Sequence, residues 1–334
     1  MPPEHQFPTK IRPKTKYGPE EGRRKSMSLQ LQRRPVIFRY SYRSFQEVTL
    51  PNSLQFPLKS QSGQEYLIQI SWPLHWQDAS APIDKPIPVI YIVDGNALFL
   101  TATETAWRRA TSPRFADGGI VVAVGYPLEP AKLYDFQRRS RDLTPPTTLP
   151  IEGFGGADRF LEFLEGPVKS TVREKFPKIV IGREALYGHS YGGLFALYAL
   201  FTRPHSFECF MASSPSIWWN DRCILDYANN FLAEEQAHVP AVLPSLMMFC
   251  GGWEQNPPRW DNEPLSDYEA RQRMWNDIRM EDNMLDLCKM LEDCKRLHTT
   301  QKSVYEQEEH TSVMSCSPSR SITRFFEEWP LQSS

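Results

Sequence analysis

No run of about 18 consecutive apolar residues occurs in this 334-residue chain, so no membrane-spanning helix is expected. A strong charge of either sign is also missing. The chain has 38 Lys and Arg against 40 Asp and Glu, a net charge of −2. That balance gives no electrostatic reason to expect nucleic acid or an anionic membrane as the main partner. CxxC pairs are lacking too. Cys209, Cys223, Cys250, Cys288, Cys294 and Cys316 are scattered, several of them in apolar runs such as ECFMA and MMFCGG. They read as free, mostly buried thiols of a reducing compartment, not as disulfides or a zinc site. No His/Cys cluster has ligand spacing, so neither a metal nor another cofactor is expected. The first residues lack the apolar segment of a secretory signal, which points to a cytoplasmic protein.

What the chain does contain separates into two parts. Residues 1–35 carry nine Lys or Arg against three Glu, many prolines and few large apolar side chains. This composition buries too little surface to offset chain entropy, so a disordered tail is expected there. Residues 36–334 read as a single domain of alternating strands and helices. The segments 47–58 and 65–72 suit an antiparallel pair with Ser62-Gly63 at the turn. Short apolar runs at 88–94, 118–127, 185–188, 208–214 and 246–252 suit parallel strands covered on both faces, and 303–309 is a weaker candidate. Between them, 157–176 places Phe160, Leu161, Phe163, Leu164, Val168 and Val172 at helical spacing, and 265–297 is a long, charged amphipathic stretch. The alternation predicts an α/β fold with a mostly parallel central sheet and helices on both faces.

Gly188-His189-Ser190-Tyr191-Gly192 fits G-x-S-x-G. It lies between the apolar residues Ala185-Leu186-Tyr187 and a helical stripe of Leu194, Leu197, Tyr198 and Phe201. That strand–turn–helix setting is the nucleophile elbow of the α/β-hydrolase fold, and it makes Ser190 the candidate nucleophile. The following helix N-terminus favours negative charge beside the serine. The backbone N–H of Tyr191 is a candidate oxyanion donor. A second donor is expected from the loop after the strand ending at Asp94. The backbone N–H of Asn96 is the candidate there, although an ordinary Asp-Gly turn would read the same way.

A serine hydroxyl needs a histidine to take its proton, and in this fold the chain order is Ser, then Asp or Glu, then His. His205 comes too early for the base. His238 and His298 sit at helix ends that explain them without catalysis. His310 follows the last candidate strand and precedes a final helix, so it is the candidate base. The acid should follow the strand at 246–251. Glu254 comes first in that loop, Asp261 competes with it, and a Ser–His pair without an acid is a third arrangement.

Beyond the elbow, the chain carries VIYIVDGNALF (89–99), VVAVGYP (121–127), RRSRDLTPP (138–146), GGADRFLEFLE (155–165), YGHSYGGLFALYAL (187–200) and SSPSIWWND (213–221). Through these stretches residues 47–328 resemble an esterase family of α/β-hydrolases. That family includes bacterial enterobactin and bacillibactin esterases and fungal triacetylfusarinine C esterases. The resemblance implies hydrolysis of the ester bonds of an iron-chelating siderophore, a small-molecule partner, with iron released inside the cell. It implies Ser190 as nucleophile, His310 as base, and Asn96 and Tyr191 as oxyanion donors. The bacterial members are less similar over 253–265, where Pro257 and Pro258 intervene.

Two groups of residues are substrate-binding candidates on their own chemistry. Arg139 and Arg141, with Arg138, follow a strand whose end should face the site. They would either steady a polar chelate or pair with neighbours such as Asp142. Trp218 and Trp253, with Trp219, follow two further strand ends and would either line a broad mouth or pack in its rim. A general carboxylesterase or acyltransferase, and a silent hydrolase fold that only binds a ligand, are the alternative readings.

Overall fold

Strands that are apolar on both faces form the centre of the protein, because helices cover the sheet on either side. The computed structural model describes residues 48–77, 83–113, 115, 117–148, 150–233 and 242–331. The segment expected to be a tail, 1–35, lies outside them. From the N-terminal side the elements are β1 (Ser53–Lys59), β2 (Glu65–Ser71), β3 (Ile83–Val93), α1 (Gly95–Ala110), β4 (Ile120–Gly125), α2 (Phe136–Asp142), α3 (Ala157–Phe163) and α4 (Lys169–Lys175). Next come β5 (Ile179–His189), α5 (Tyr191–Thr202), β6 (Cys209–Ser213), α6 (Trp219–Arg222), α7 (Ile224–Ala233) and β7 (Ser245–Gly251). The last are α8 (Leu265–Ile278), α9 (Met280–Met290), β8 (Thr299–Tyr305) and α10 (Val313–Glu327).

The eight strands form one sheet in the order β1-β2-β4-β3-β5-β6-β7-β8. β1 and β2 are antiparallel to their neighbours, and the strands from β4 through β8 run parallel. Alternate residues of the parallel strands enter two cores. Tyr91, Val122, Leu186, Phe210 and Met248 pack with α3, α5, α7 and α9 on one face. Ile92, Val121, Tyr187, Met211 and Phe249 pack with α1 and α10 on the other. This is the expected α/β-hydrolase architecture, and parallel strands place all their carboxyl ends along one edge. Among the described residues no helix is long and apolar enough to cross a membrane.

Three local expectations shift. The last strand is Thr299–Tyr305, not 303–309. Thr299 and Gln301 are buried there, and Gln301 Oε1 accepts from Arg324 at 2.6 Å, so polar residues fill positions where apolar ones were sought. The stretch 265–297 is two helices, broken at Arg279, which is left-handed at φ 52°. The helix over 157–176 is interrupted by a wide π turn, Leu164–Val168, around Pro167. Proline lacks the N–H that a regular turn would use.

Beneath the sheet's other end lies a buried ion pair. Lys169 Nζ is 2.9 Å from Glu184 Oε2 and 2.5 Å from the carbonyl of Ser206, while the Tyr91 hydroxyl donates to Glu184 Oε1 at 2.7 Å. The ammonium also sits 4.1 Å from the centre of the Phe207 ring. Removing Lys169 leaves Glu184 with only the exposed Arg173 guanidinium, 3.7 Å from Oε2, as counter-charge. Lys169→Met should therefore cost about 3–5 kcal/mol in chemical denaturation. A loss below about 1 kcal/mol would show that the pair is not needed.

Candidate active site

The elbow is built from strain. Ser190, between β5 and α5, has φ 60° and ψ −118°, which L side chains rarely adopt. Three backbone bonds hold it there. Ser190 N–H donates to Ser213 O (2.9 Å), and its carbonyl accepts from Leu194 N–H (3.0 Å) and Ser216 N–H (3.2 Å). The flanking glycines are steric necessities. A Cβ on Gly188 would lie 2.1 Å from Gly192 O, and one on Gly192 would lie 2.8 Å from Val93 Cγ2. Ser190 itself is half-buried, and its Oγ shares a 3.4 Å hydrogen bond with Ser216 Oγ.

His310 and Glu254 arrive from two different loops. The loop after β7 is zipped to the one after β8. Gly252 N–H donates to Tyr305 O (2.8 Å) and Trp253 N–H to Glu308 O (3.0 Å). A Cβ on Gly251 would lie 2.2 Å from Glu308 O, so only glycine allows this approach. The result is a 2.6 Å hydrogen bond from His310 Nδ1 to Glu254 Oε2. Glu254 is buried, and its Oε1 accepts from Ser214 Oγ (2.5 Å) and Gly251 N–H (2.7 Å). Every lobe of the carboxylate that faces protein thus has a donor. Asp261, the competing acid, is exposed.

The His310 ring lies against that of His189, the residue that precedes the serine, at a tilt of 44°. The ring centres of His189 and His310 are 4.6 Å apart. His189 Nδ1 is 3.2 Å from Ser213 Oγ, which continues through Ser317 Oγ (2.7 Å) to the Tyr187 hydroxyl (2.8 Å). Burial, then the nearby charges of His310 and Arg139, hold the His189 imidazole well below the usual histidine pKa. The two candidate oxyanion amides stand at helix starts. Tyr191 is the first residue of α5 and Asn96 the second of α1, where N–H groups have no intrahelical acceptor. The Asn96 side chain is fixed by a reciprocal pair, donating to Tyr126 O (3.0 Å) and accepting from Tyr126 N–H (2.8 Å).

Of the two readings open to the arginines, the structure shows pairing with neighbours. Arg139 is buried and grips Asp94 with Nε and Nη2. Arg141 Nε donates to Asp142 Oδ1 (3.0 Å), and its Nη2 to Gln64. Arg138 donates to Glu65 O (2.7 Å) and lies over the rings of Tyr66 and Tyr126. All three are engaged by the scaffold, because each has a carboxylate, a carbonyl or an aromatic face within reach. Trp218 is half-buried with its ring centre 6.3 Å from that of Tyr191, and Trp253 is half-buried in the loop carrying Glu254. The loop after β4 forms an open cleft of about 560 Å³, lined by Leu128, Lys132, Leu133, Tyr134 and Phe136 among others. Leu133 and Phe136 are exposed. Sequence reasoning did not single out Ser214, Ser216 or Tyr134, although both serines lie within the SSPSIWW stretch.

A strained serine at a strand–helix junction, with a histidine–carboxylate pair from later loops at the same sheet edge, defines a serine hydrolase of the α/β-hydrolase fold. The sequence profile of the family described as "Putative esterase" matches residues 60–315, and the chain belongs to that family. It is 59% identical over 287 residues to a siderophore triacetylfusarinine C esterase of Aspergillus fumigatus, covering 86% of this chain and 97% of that protein. It is 43% identical to a siderophore enterobactin esterase of Emericella nidulans, over 75% of this chain and 85% of that one. Among solved structures, siderophore hydrolase EstB from Aspergillus nidulans superposes with a TM-score of 0.83. The two are 52% identical, over 86% of this chain and 98% of that one.

The depressed His189 pKa has a measurable consequence. Below the ordinary value near 6.5, the unfolded chain binds a proton at this position that the folded chain does not. Stability should therefore fall as pH drops. Between pH 7.5 and 5.5 the wild type should lose about 1.4 kcal/mol more than His189→Gln, measured by urea unfolding. Equal pH dependence in both would contradict a neutral His189.

Proposed function

We propose that this chain hydrolyses the ester bonds of a siderophore through a serine acyl-enzyme, with a hydroxamate triester of the triacetylfusarinine C kind as substrate. The observation that carries the chemistry is the His310–Glu254 hydrogen bond set against the Ser190 elbow. The likeness to the fungal siderophore esterases supports the substrate class.

In the first step Ser190 Oγ exchanges Ser216 for His310 Nε2 and attacks the ester carbonyl as the imidazole takes its proton. Glu254 fixes the Nδ1–H tautomer and stabilises the imidazolium that forms. The Tyr191 and Asn96 amides receive the oxyanion. Collapse expels the alcohol oxygen, which takes the proton back from His310 Nε2. Water then attacks the acyl-enzyme by the same route, leaving a carboxylic acid and free Ser190. Net, one ester and one water give one acid and one alcohol. Each cleavage unlinks chelating arms that a single molecule had held at high effective concentration around iron, so affinity for the metal falls.

The charge around the site favours a neutral chelate. Three hydroxamates neutralise ferric iron, whereas three catecholates leave a trianion. With Arg138, Arg139 and Arg141 engaged by the scaffold, the cleft offers Lys132 beside Glu129 and Asp135, which is no excess of positive charge. The exposed Leu133 and Phe136 give the cleft after β4 an apolar lining that would suit a bulky ligand. Our reading puts the reaction in the cytoplasm, where an imported chelate would give up its iron.

Ser190→Ala and His310→Ala should each lower kcat by about 10⁴-fold or more, and Glu254→Gln by about 10²–10⁴-fold. Ferric and iron-free siderophores incubated with the wild type should give the hydroxamate fragments by mass spectrometry. Fast turnover of simple aryl esters with no cleavage of any siderophore would overturn the substrate assignment.

A further inference from the structure

Ser214 holds a backbone conformation that its residue type disfavours. It is the first residue after β6, is fully buried, and has φ 41°, in the left-handed region that glycine enters most easily. Its amide donates to Phe249 O, 2.6 Å away on β7. Its Oγ donates to Glu254 Oε1 at 2.5 Å. Glycine in this place would relieve the backbone and keep the amide bond. What glycine would lose is the hydroxyl on the acid.

The chemistry of that hydroxyl follows from how the donors divide over Glu254. Oε2 accepts from His310 Nδ1 at 2.6 Å, whereas Oε1 accepts from both Ser214 Oγ and Gly251 N–H. Two donors on Oε1, one from the end of β6 and one from the end of β7, fix the plane of the carboxylate and so the direction of Oε2. They also draw negative charge toward Oε1, away from His310. A donor to a carboxylate disfavours its taking up a proton. The hydroxyl therefore aims the acid and limits how firmly the acid and imidazole together hold a proton.

We infer that Ser214 is a positioning residue, acting through Glu254 to aim the acid and to keep His310 free to accept the proton of Ser190. This rests on the reading of Ser190, His310 and Glu254 as the triad. Other ionisable groups stand around the pair. Cys250 lies on β7, where burial and then the Glu254 charge push its thiol up, with Glu281 of α9 adding to the effect. His189 lies on β5, with Arg139 of α2 acting on it. Glu308 and Glu309 precede His310 in its own loop. All of them are common to the Ser214 variants below, so a difference from the wild type reports the hydroxyl.

The test is a set of pH profiles on full-length protein with p-nitrophenyl acetate, a small neutral ester. Ser214→Ala should lower kcat on the plateau by about tenfold or more, with little change in KM, because the buried hydroxyl does not meet substrate. The acid limb of kcat/KM, which reports the free enzyme, should move to higher pH by roughly half a pH unit or more. Glu254→Gln should move that limb the other way, since the imidazolium loses its counter-charge. Ser214→Gly should repeat both effects of Ser214→Ala yet melt at a higher temperature, because glycine carries no strain at this φ. An unmoved limb, a limb moved to lower pH, wild-type kcat or an effect confined to KM would each overturn the inference. If Ser214→Ala does not fold, Ser214→Gly decides on the same limits. Failure of both to fold would make the residue structural and overturn the inference. His310→Ala run in parallel should be inactive. Its retention of activity, or a wild-type profile with no acid limb, would sink the triad reading itself, separately from the role of Ser214.

Discussion

Ser190 is held at φ 60° and ψ −118° between a strand and a helix, a conformation that costs on the order of 1–3 kcal/mol and persists only where neighbours over-determine it. The neighbours do so. Gly188 and Gly192 have no space for side chains, and the serine's amide is bonded to the last residue of β6 and its carbonyl to the segment that follows. That segment is itself tied to the acid, since Ser214 bonds both Phe249 O and Glu254 Oε1. The strain at the elbow and the position of Glu254 are thus settled by the same few residues.

Parallel strands make this arrangement possible. Because β3 through β7 end on one edge, the loops after them meet without long excursions. Asp94 and Asn96 follow β3, Ser190 follows β5, Ser214 and Ser216 follow β6, and Glu254 follows β7. His310 follows β8 in the same way. Two buried carboxylates stand among these loops, each with its own partner: Glu254 with His310 and Asp94 with Arg139.

The features legible in the sequence were those that leave a local trace. Runs such as PVIYIVD and LMMFCG are apolar on both faces because both faces are buried, and they appear as β3 and β7. The elbow glycines are required within five residues of each other, so the motif is visible as a motif. β8 was misplaced because an edge strand that buries Thr299 and Gln301 does not read as apolar. The break at Arg279 has no glycine or proline to announce it. Position in the loop favours Glu254 over Asp261, but spacing alone does not decide between them. What separates them is that Glu254 turns back onto the Gly251 amide and Ser214, and no pattern records that. The Arg139–Asp94 pair joins residues 45 positions apart, so no local spacing announces this partner. His310, in contrast, was legible from chain order alone.

The account turns on Ser190 being the activated nucleophile. Reaction with a fluorophosphonate followed by peptide mapping tests this most directly. The structure predicts a single adduct on the peptide carrying Ser190, forming much more slowly when Glu254→Gln weakens the support of His310. Labelling at another serine, or equal rates in wild type and Glu254→Gln, would contradict it.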